Sequence, residues 1–204
     1  PEDYSNEQSF ELCDELISAA ARYQLAIIGG DCSSAKQLAL SCTVMGCANG
    51  KVPGRNSAKV GGQIYVSRAL GGAVHSGRHL SPTPELALGK LLVEKCSPQA
   101  MIDLSDGLDN DLRRILRASN VGARVDVDLL PLNTGCDWQQ AVSEGEDYGL
   151  LIVLDEAVAL TIDDVLKEDS HRLYRVGEIT ASPTLDYQQN SNSVTLDKKP
   201  FSYS

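Results

Sequence analysis

The chain has 204 residues, 28 acidic against 18 basic, for a formal net charge of -10, and 42% of it is hydrophobic with only 5% aromatic. This length suits one large domain or two small ones with a core packed from aliphatic side chains. A local basic patch aside, such a surface repels nucleic acid, while an anionic small ligand stays compatible because bound Mg²⁺ bridges carboxylates and phosphates.

No run approaches the ~20 apolar residues that span a bilayer, and the opening PEDYSNEQSF has no signal-peptide character. A cytoplasmic protein without a membrane segment is expected. The opening also lacks Met, so the sequence reads as a trimmed or partial chain. None of Cys13, Cys32, Cys42, Cys47, Cys96 and Cys136 forms a CxxC pair. That argues against structural zinc and a disulfide scaffold, and fits a reducing compartment. Cys32, Cys42 and Cys47 lie in apolar or glycine-rich runs and are expected to be small buried residues.

From the start, Ser9–Tyr23 places Phe10, Leu12, Leu16, Ile17 and Ala20 at helical spacing, with Glu11 and Asp14 near the positive end of the dipole. Leu25–Ile28 reads as a buried strand ending in Gly29-Gly30-Asp31-Cys32-Ser33. Gln37–Cys47 alternates Leu38, Leu40, Cys42 and Val44 and reads as a second strand. Helix, strand, strand is the second half of a split βαβ unit and a poor domain by itself, so a further upstream piece is expected. The turn-rich stretch from Asn49 to Gly62 sets the expected boundary, giving domains over 1–50 and 51–204.

Beyond it, strands are expected at Gln63–Ser67, Ala100–Leu104, Ala123–Leu129, Leu150–Leu154, Leu173–Ile179 and Ser193–Leu196. Helices are expected at Glu85–Lys95, Asp106–Ser119, Trp138–Glu144 and Ala157–Glu168. In Asp106–Ser119 the stripe is Leu108, Leu112, Ile115 and Leu116, with Asp109, Asp111, Arg113, Arg114 and Arg117 mostly elsewhere. The fold class is α+β: a mixed sheet covered by helices, preceded by a partial βαβ-type domain.

Four stretches carry candidate chemistry. In Asp103-Leu104-Ser105-Asp106-Gly107, a strand end and the turn into a helix present carboxylates that can share a hard cation. Ser105 and the helix N-terminus can address phosphate oxygens, and Gly107 allows close backbone approach. A plain helix cap is the competing reading. An apolar-flanked Asp103 favours a site, because an unpaired buried carboxylate is costly. Gly29-Gly30-Asp31 can bring main-chain N–H groups and a metal-binding carboxylate to phosphate, or be an ordinary turn. Glu144-Gly145-Glu146-Asp147-Tyr148-Gly149 crowds acids between glycines before a strand; Glu146 can accept from a substrate amine or hydroxyl, or face solvent. In the basic stretches, Arg55 or Arg78 can contact phosphate, whereas His75, His79 and His171 read as loop residues. With no P-loop, no kinase motif set and no Ser-His-Asp order, metal-assisted phosphoryl transfer is the reading these stretches share.

Taken together, Gly29-Gly30-Asp31, GRNSAKVG over 54–61, RHLSPTP over 78–84, IDLSDGL over 102–108 and GEDY over 145–148 resemble the thiamine-monophosphate kinases, within the superfamily of aminoimidazole ribonucleotide synthetase. Order and surroundings match from about Phe10 to Thr180. The resemblance implies ATP-dependent phosphorylation of thiamine monophosphate to thiamine diphosphate with no covalent enzyme intermediate. It implies magnesium on Asp31, Asp103 and Asp106, and ATP contacts from Gly30, Asp31, Arg55 and Ser105. Thiamine monophosphate would meet Glu146, with Phe201 or Tyr203 as the packing aromatic. It also implies a homodimer formed through N-terminal domains. The chain departs from the family in Cys32-Ser33 after GGD, in Gly149 after GEDY, in short connections after Gly72 and Leu132, and in lacking an upstream half-domain with further acids. Another ATP-dependent synthetase of the superfamily, or a truncated domain that binds nucleotide without catalysis, are the alternatives.

Overall fold

The computed structural model describes residues 4–47, 51–167 and 171–198. It divides into two compact units, Pro1–Cys47 and Ala48–Ser204.

The first unit is built on helix α1 (Asn6–Arg22). Ser5 caps it reciprocally: its hydroxyl accepts from the Gln8 N–H at 3.1 Å, and the Gln8 side chain accepts from the Ser5 N–H at 3.0 Å. No residue of α1 is buried, and Phe10 and Ile17 are exposed. The strands expected at Leu25–Ile28 and Gln37–Cys47 do not form; both segments lie outside any sheet with their side chains exposed. A strand needs a neighbour's N–H and C=O groups and a surface to cover its apolar face. The described residues of this unit supply neither. For the same reason Cys32, Cys42 and Cys47 are exposed, not buried.

The second unit is a seven-stranded mixed sheet in the order β2-β4-β1-β5-β3-β6-β7. Its strands are β1 (Gln63–Val66), β2 (Ala100–Asp103), β3 (Gly122–Asp126), β4 (Leu150–Leu154), β5 (Tyr174–Thr180), β6 (Leu185–Gln189) and β7 (Asn192–Val194). Among the described strands, β3 and β6 pair in parallel and the others antiparallel. The central strands alternate between two cores with the period of two that a strand imposes. Ile64, Val66, Leu151 and Val153 face one side, against α3 (Leu108–Ser119) and α4 (Trp138–Ser143). Tyr65, Ile152 and Leu154 face the other, against α2 (Leu86–Lys95), α5 (Glu156–Ala159) and α6 (Ile162–Lys167). The helix expected over 157–168 is broken in two, because Thr161 turns back tightly, its N–H donating to Val158 O at 3.1 Å.

Helix α3 positions the rest. It begins at Leu108, two residues later than expected, after Gly107 at φ 89°. A Cβ there would lie 2.7 Å from the Glu144 carbonyl oxygen, so only glycine fits. Beside the apolar stripe, Asp109 and Asp111 are also buried, which their charge hid. Arg113 donates twice to Asp109, at 2.8 and 2.9 Å, and the Tyr187 hydroxyl donates to it at 2.7 Å. Burial first, then the neighbouring Asp109, pushes the Tyr187 phenol well above its ordinary range. Strand β6, which supplies Tyr187, was missed in the sequence although Leu185 and Tyr187 alternate with polar residues.

A sheet covered on both faces requires both sides of β4 to matter. Leu151→Ala and Ile152→Ala are each expected to lower unfolding free energy by about 2–5 kcal/mol, measured by urea denaturation. A loss below about 1 kcal/mol at either would contradict the two-core arrangement.

Candidate phosphoryl-transfer site

The two acidic motifs lie side by side. In the antiparallel pair of β2 and β4, Asp103 stands opposite Leu150. The ladder does not stop there. Leu104 N–H donates to Gly149 O at 2.8 Å, Tyr148 N–H to Leu104 O at 2.7 Å, and Glu146 N–H to Ser105 O at 2.8 Å. Asp103, Ser105 and Asp106 are thereby set next to Glu146, 40 residues or more away in the chain. Glu146 and Tyr148 hold positive φ, 70° and 52°. Such backbone costs about 1–3 kcal/mol per residue and persists only where surroundings over-determine it.

Asp103 is exposed, contrary to the expectation of a buried carboxylate; it ends an edge strand and its side chain points to water. Ser105, Asp106 and Glu146 are half-buried. Arg114 bridges Asp106 and Asp111, and Asp111 also accepts from the Asp106 N–H at 3.0 Å. Burial pushes the Asp111 carboxyl up to about 6, opposed by that N–H and by Arg114 and reinforced by the charges of Asp106 and Asp103.

The GEDYG run is held from behind. Asp147 is 3% exposed. Both its carboxylate oxygens accept from Gly71 N–H, at 3.1 and 2.9 Å, and Arg78 donates to it at 2.9 Å. Glu144 accepts from Gly72 N–H at 2.7 Å. Arg78, read from sequence as a phosphate contact, is committed instead to Asp147 and to Gly71 O. Arg68 pairs with Glu85 at 2.6 Å and donates to Asp147 O at 3.3 Å. Burial raises the Asp147 carboxyl to about 6, against the Gly71 N–H and Arg78. Asp147 and its arginine were not expected as a pair, since 69 residues separate them.

Within the second unit, Arg55 lies apart from this cluster. Arg55 is exposed, and its carbonyl accepts from Ser119 at 2.9 Å. Ser119 ends α3 and Asp106 precedes its start, so the helix of 12 residues sets those ends about 18 Å apart at about 1.5 Å per residue. Gly30 and Asp31 belong to the first unit and are exposed; Ser33 donates to Asp31 at 3.1 Å. Phe201 and Tyr203 lie outside the described residues. Among the described residues no group of three or more His, Cys, Asp or Glu is arranged to hold a metal ion. Mg²⁺ on a substrate phosphate needs only one or two carboxylates, the remainder being water and phosphate oxygen. Asp103 and Asp106, hard oxygen donors at one strand end, fit that smaller requirement.

A raised carboxyl has a defined pH signature. Asp147 in the fold retains a proton that the unfolded chain has already released between about pH 4 and 6. Its contribution is therefore greatest below the unfolded value and declines as pH rises through this window. Relative to Asp147→Asn, the parent is expected to lose stability from about pH 4 to 6 and to change little above, read by denaturant unfolding across pH. A gap that moves the other way would show that the carboxyl is not raised.

The family described as "AIR synthase related protein, C-terminal domain" matches residues 59–188. The chain is 33% identical over 174 residues to the thiamine-monophosphate kinase of Rhodopirellula baltica, covering 80% of this chain and 54% of that protein. It is 31% identical over 220 residues to the thiamine-monophosphate kinase of Salmonella typhimurium, covering 93% of this chain and 67% of that one. The crystal structure of thiamine monophosphate kinase from Aquifex aeolicus shares the fold at a TM-score of 0.70, with 19% identity, 95% of this chain and 71% of that chain covered. The chain thus spans roughly half to two thirds of the length of these curated relatives.

Proposed function

The chain belongs to the thiamine-monophosphate kinase family of AIR synthase related proteins, and on that premise we propose that the protein it comes from transfers the γ-phosphoryl group of ATP to thiamine monophosphate. A phosphate oxygen of the acceptor forms a bond to the γ-phosphorus, the bond to the β,γ-bridging oxygen breaks, and ADP and thiamine diphosphate leave. The observation that carries this reading is the ladder that sets Asp103–Asp106 against Glu146–Leu150.

Each residue has a defined task. Asp103 and Asp106 would hold Mg²⁺ together with ATP phosphates. Magnesium, when bound, neutralises charge that develops on the transferring phosphoryl group. Ser105, between the two acids, donates its hydroxyl to an ATP oxygen, and Arg55 is a further nucleotide contact. Glu146 accepts from the thiamine moiety, with Phe201 or Tyr203 as its aromatic cover. None of these groups acts as a nucleophile; they orient donor and acceptor. A homodimer of the intact protein belongs to the same reading. Among the described residues, no helix is long and apolar enough to cross a membrane.

The test is direct. The full-length protein, given ATP, Mg²⁺ and thiamine monophosphate, is expected to release ADP and thiamine diphosphate in equal amounts, read by chromatography. Nucleotide binding without thiamine diphosphate would overturn the reading. Asp103→Asn is expected to lower kcat by about 100-fold or more, since losing several kcal/mol of charge stabilisation costs tenfold per about 1.4 kcal/mol. Its exposed side chain means that the melting temperature should hardly change, and unaltered turnover would remove Asp103 from the metal site.

A further inference from the structure

We propose that Asp147, clamped by Arg78, is a positioning residue that fixes Glu146 against Ser105 and so sets the site of the phosphoryl acceptor. The proposal rests on the reading that Glu146 meets thiamine monophosphate.

Three observations converge. First, Asp147 and Arg78 together hold Gly71 at both its N–H and its C=O. The Asp147 carboxylate accepts from Gly71 N–H while Arg78 donates to Gly71 O at 3.2 Å and to Asp147 at 2.9 Å. Second, the turn they grip is one that favours glycine. Gly71 and Gly72 have φ 85° and 71°, and a Cβ on Gly71 would lie 3.1 Å from the Ala141 nitrogen. Third, the residues on either side of Asp147 carry the positive φ angles, and their N–H groups donate to Ser105 O and Leu104 O. The backbone at 146 and 148 would relax to ordinary angles if it were free. The buried carboxylate between them, with Arg68 on its carbonyl at 3.3 Å, removes that freedom. A side chain needed only for packing could be apolar here, and an ionisable group in this place is costly to bury. Its clamp fixes the position of the next residue back, which is Glu146.

The experiment is a double-mutant cycle in the full-length protein. Asp147→Asn is expected to raise KM for thiamine monophosphate about tenfold while KM for ATP stays within about twofold, the pattern of lost acceptor binding. Added to Glu146→Gln, it should cost less than about twofold more, because both act through one contact. Arg78→Gln, at a side chain 37% exposed, should give the same pattern and serves if the Asp147 variant does not fold. Hydrogen exchange supplies a second readout. The Glu146 and Tyr148 amides should exchange at least about tenfold faster in either variant, while those of Ile64 and Ile152 keep their protection. Equal rises in both KM values, losses that multiply with Glu146→Gln, or unchanged exchange at 146 and 148 would each overturn the proposal. If the parent makes no thiamine diphosphate, the functional reading fails, and exchange alone then decides whether the clamp exists.

Discussion

Three backbone hydrogen bonds past the end of the β2–β4 pair hold the two acidic motifs together, and the remaining features of the site depend on them. Leu104, Ser105, Glu146, Tyr148 and Gly149 continue a ladder in which Asp103 stands opposite Leu150. A slip of one residue would turn every side chain to the opposite face. The core makes that slip costly, because Leu151 and Val153 must face α3 while Ile152 and Leu154 face α2. Aliphatic burial deep in the sheet therefore sets the position of polar groups at its end. Gly107 turns the chain into α3 under the Glu144 carbonyl and closes the arrangement.

The carboxylates divide into two kinds. Asp109, Asp111 and Asp147 are buried, and each is matched with an arginine and one further donor. Removing the arginine from such a pair leaves a buried carboxylate with less compensation, at a cost that solvent at the half-exposed arginine moderates. These groups fix geometry. Asp103, Asp106 and Glu146 are more open to solvent and sit at the strand end and the facing loop. They retain oxygen atoms that can address a cation or a ligand. Burial thus separates acids that hold the scaffold from those proposed to meet substrate.

Much of the second unit is legible in the sequence, because the short apolar runs of β1 and β4 and the stripe of Leu108, Leu112, Ile115 and Leu116 report burial directly. The motifs IDLSDGL and GEDY were legible one at a time. Their adjacency was not, since pairing across 40 residues leaves no local pattern. Asp109 and Asp111 read as polar surface in the sequence, although the spacing of four between Asp109 and Arg113 is the distance at which acid and base meet on a helix. Arg78 was read as a phosphate contact because its buried partner lies 69 residues away. In the first unit, the strand patterns at Leu25–Ile28 and Gln37–Cys47 are real in sequence and unmet in structure. Amphipathic alternation specifies a strand only when a neighbour completes its hydrogen bonds.

The central claim is that the strand end Asp103–Asp106, facing Glu146, receives the metal–nucleotide complex. Paramagnetic Mn²⁺ in place of Mg²⁺ tests it most directly, with backbone amide signals of the full-length protein followed as Mn²⁺ is added with ATP. The account predicts that the amides from Asp103 to Gly107, and that of Glu146, broaden first, and that Asp103→Asn weakens the effect. Broadening that leaves this stretch untouched while other amides disappear would contradict it.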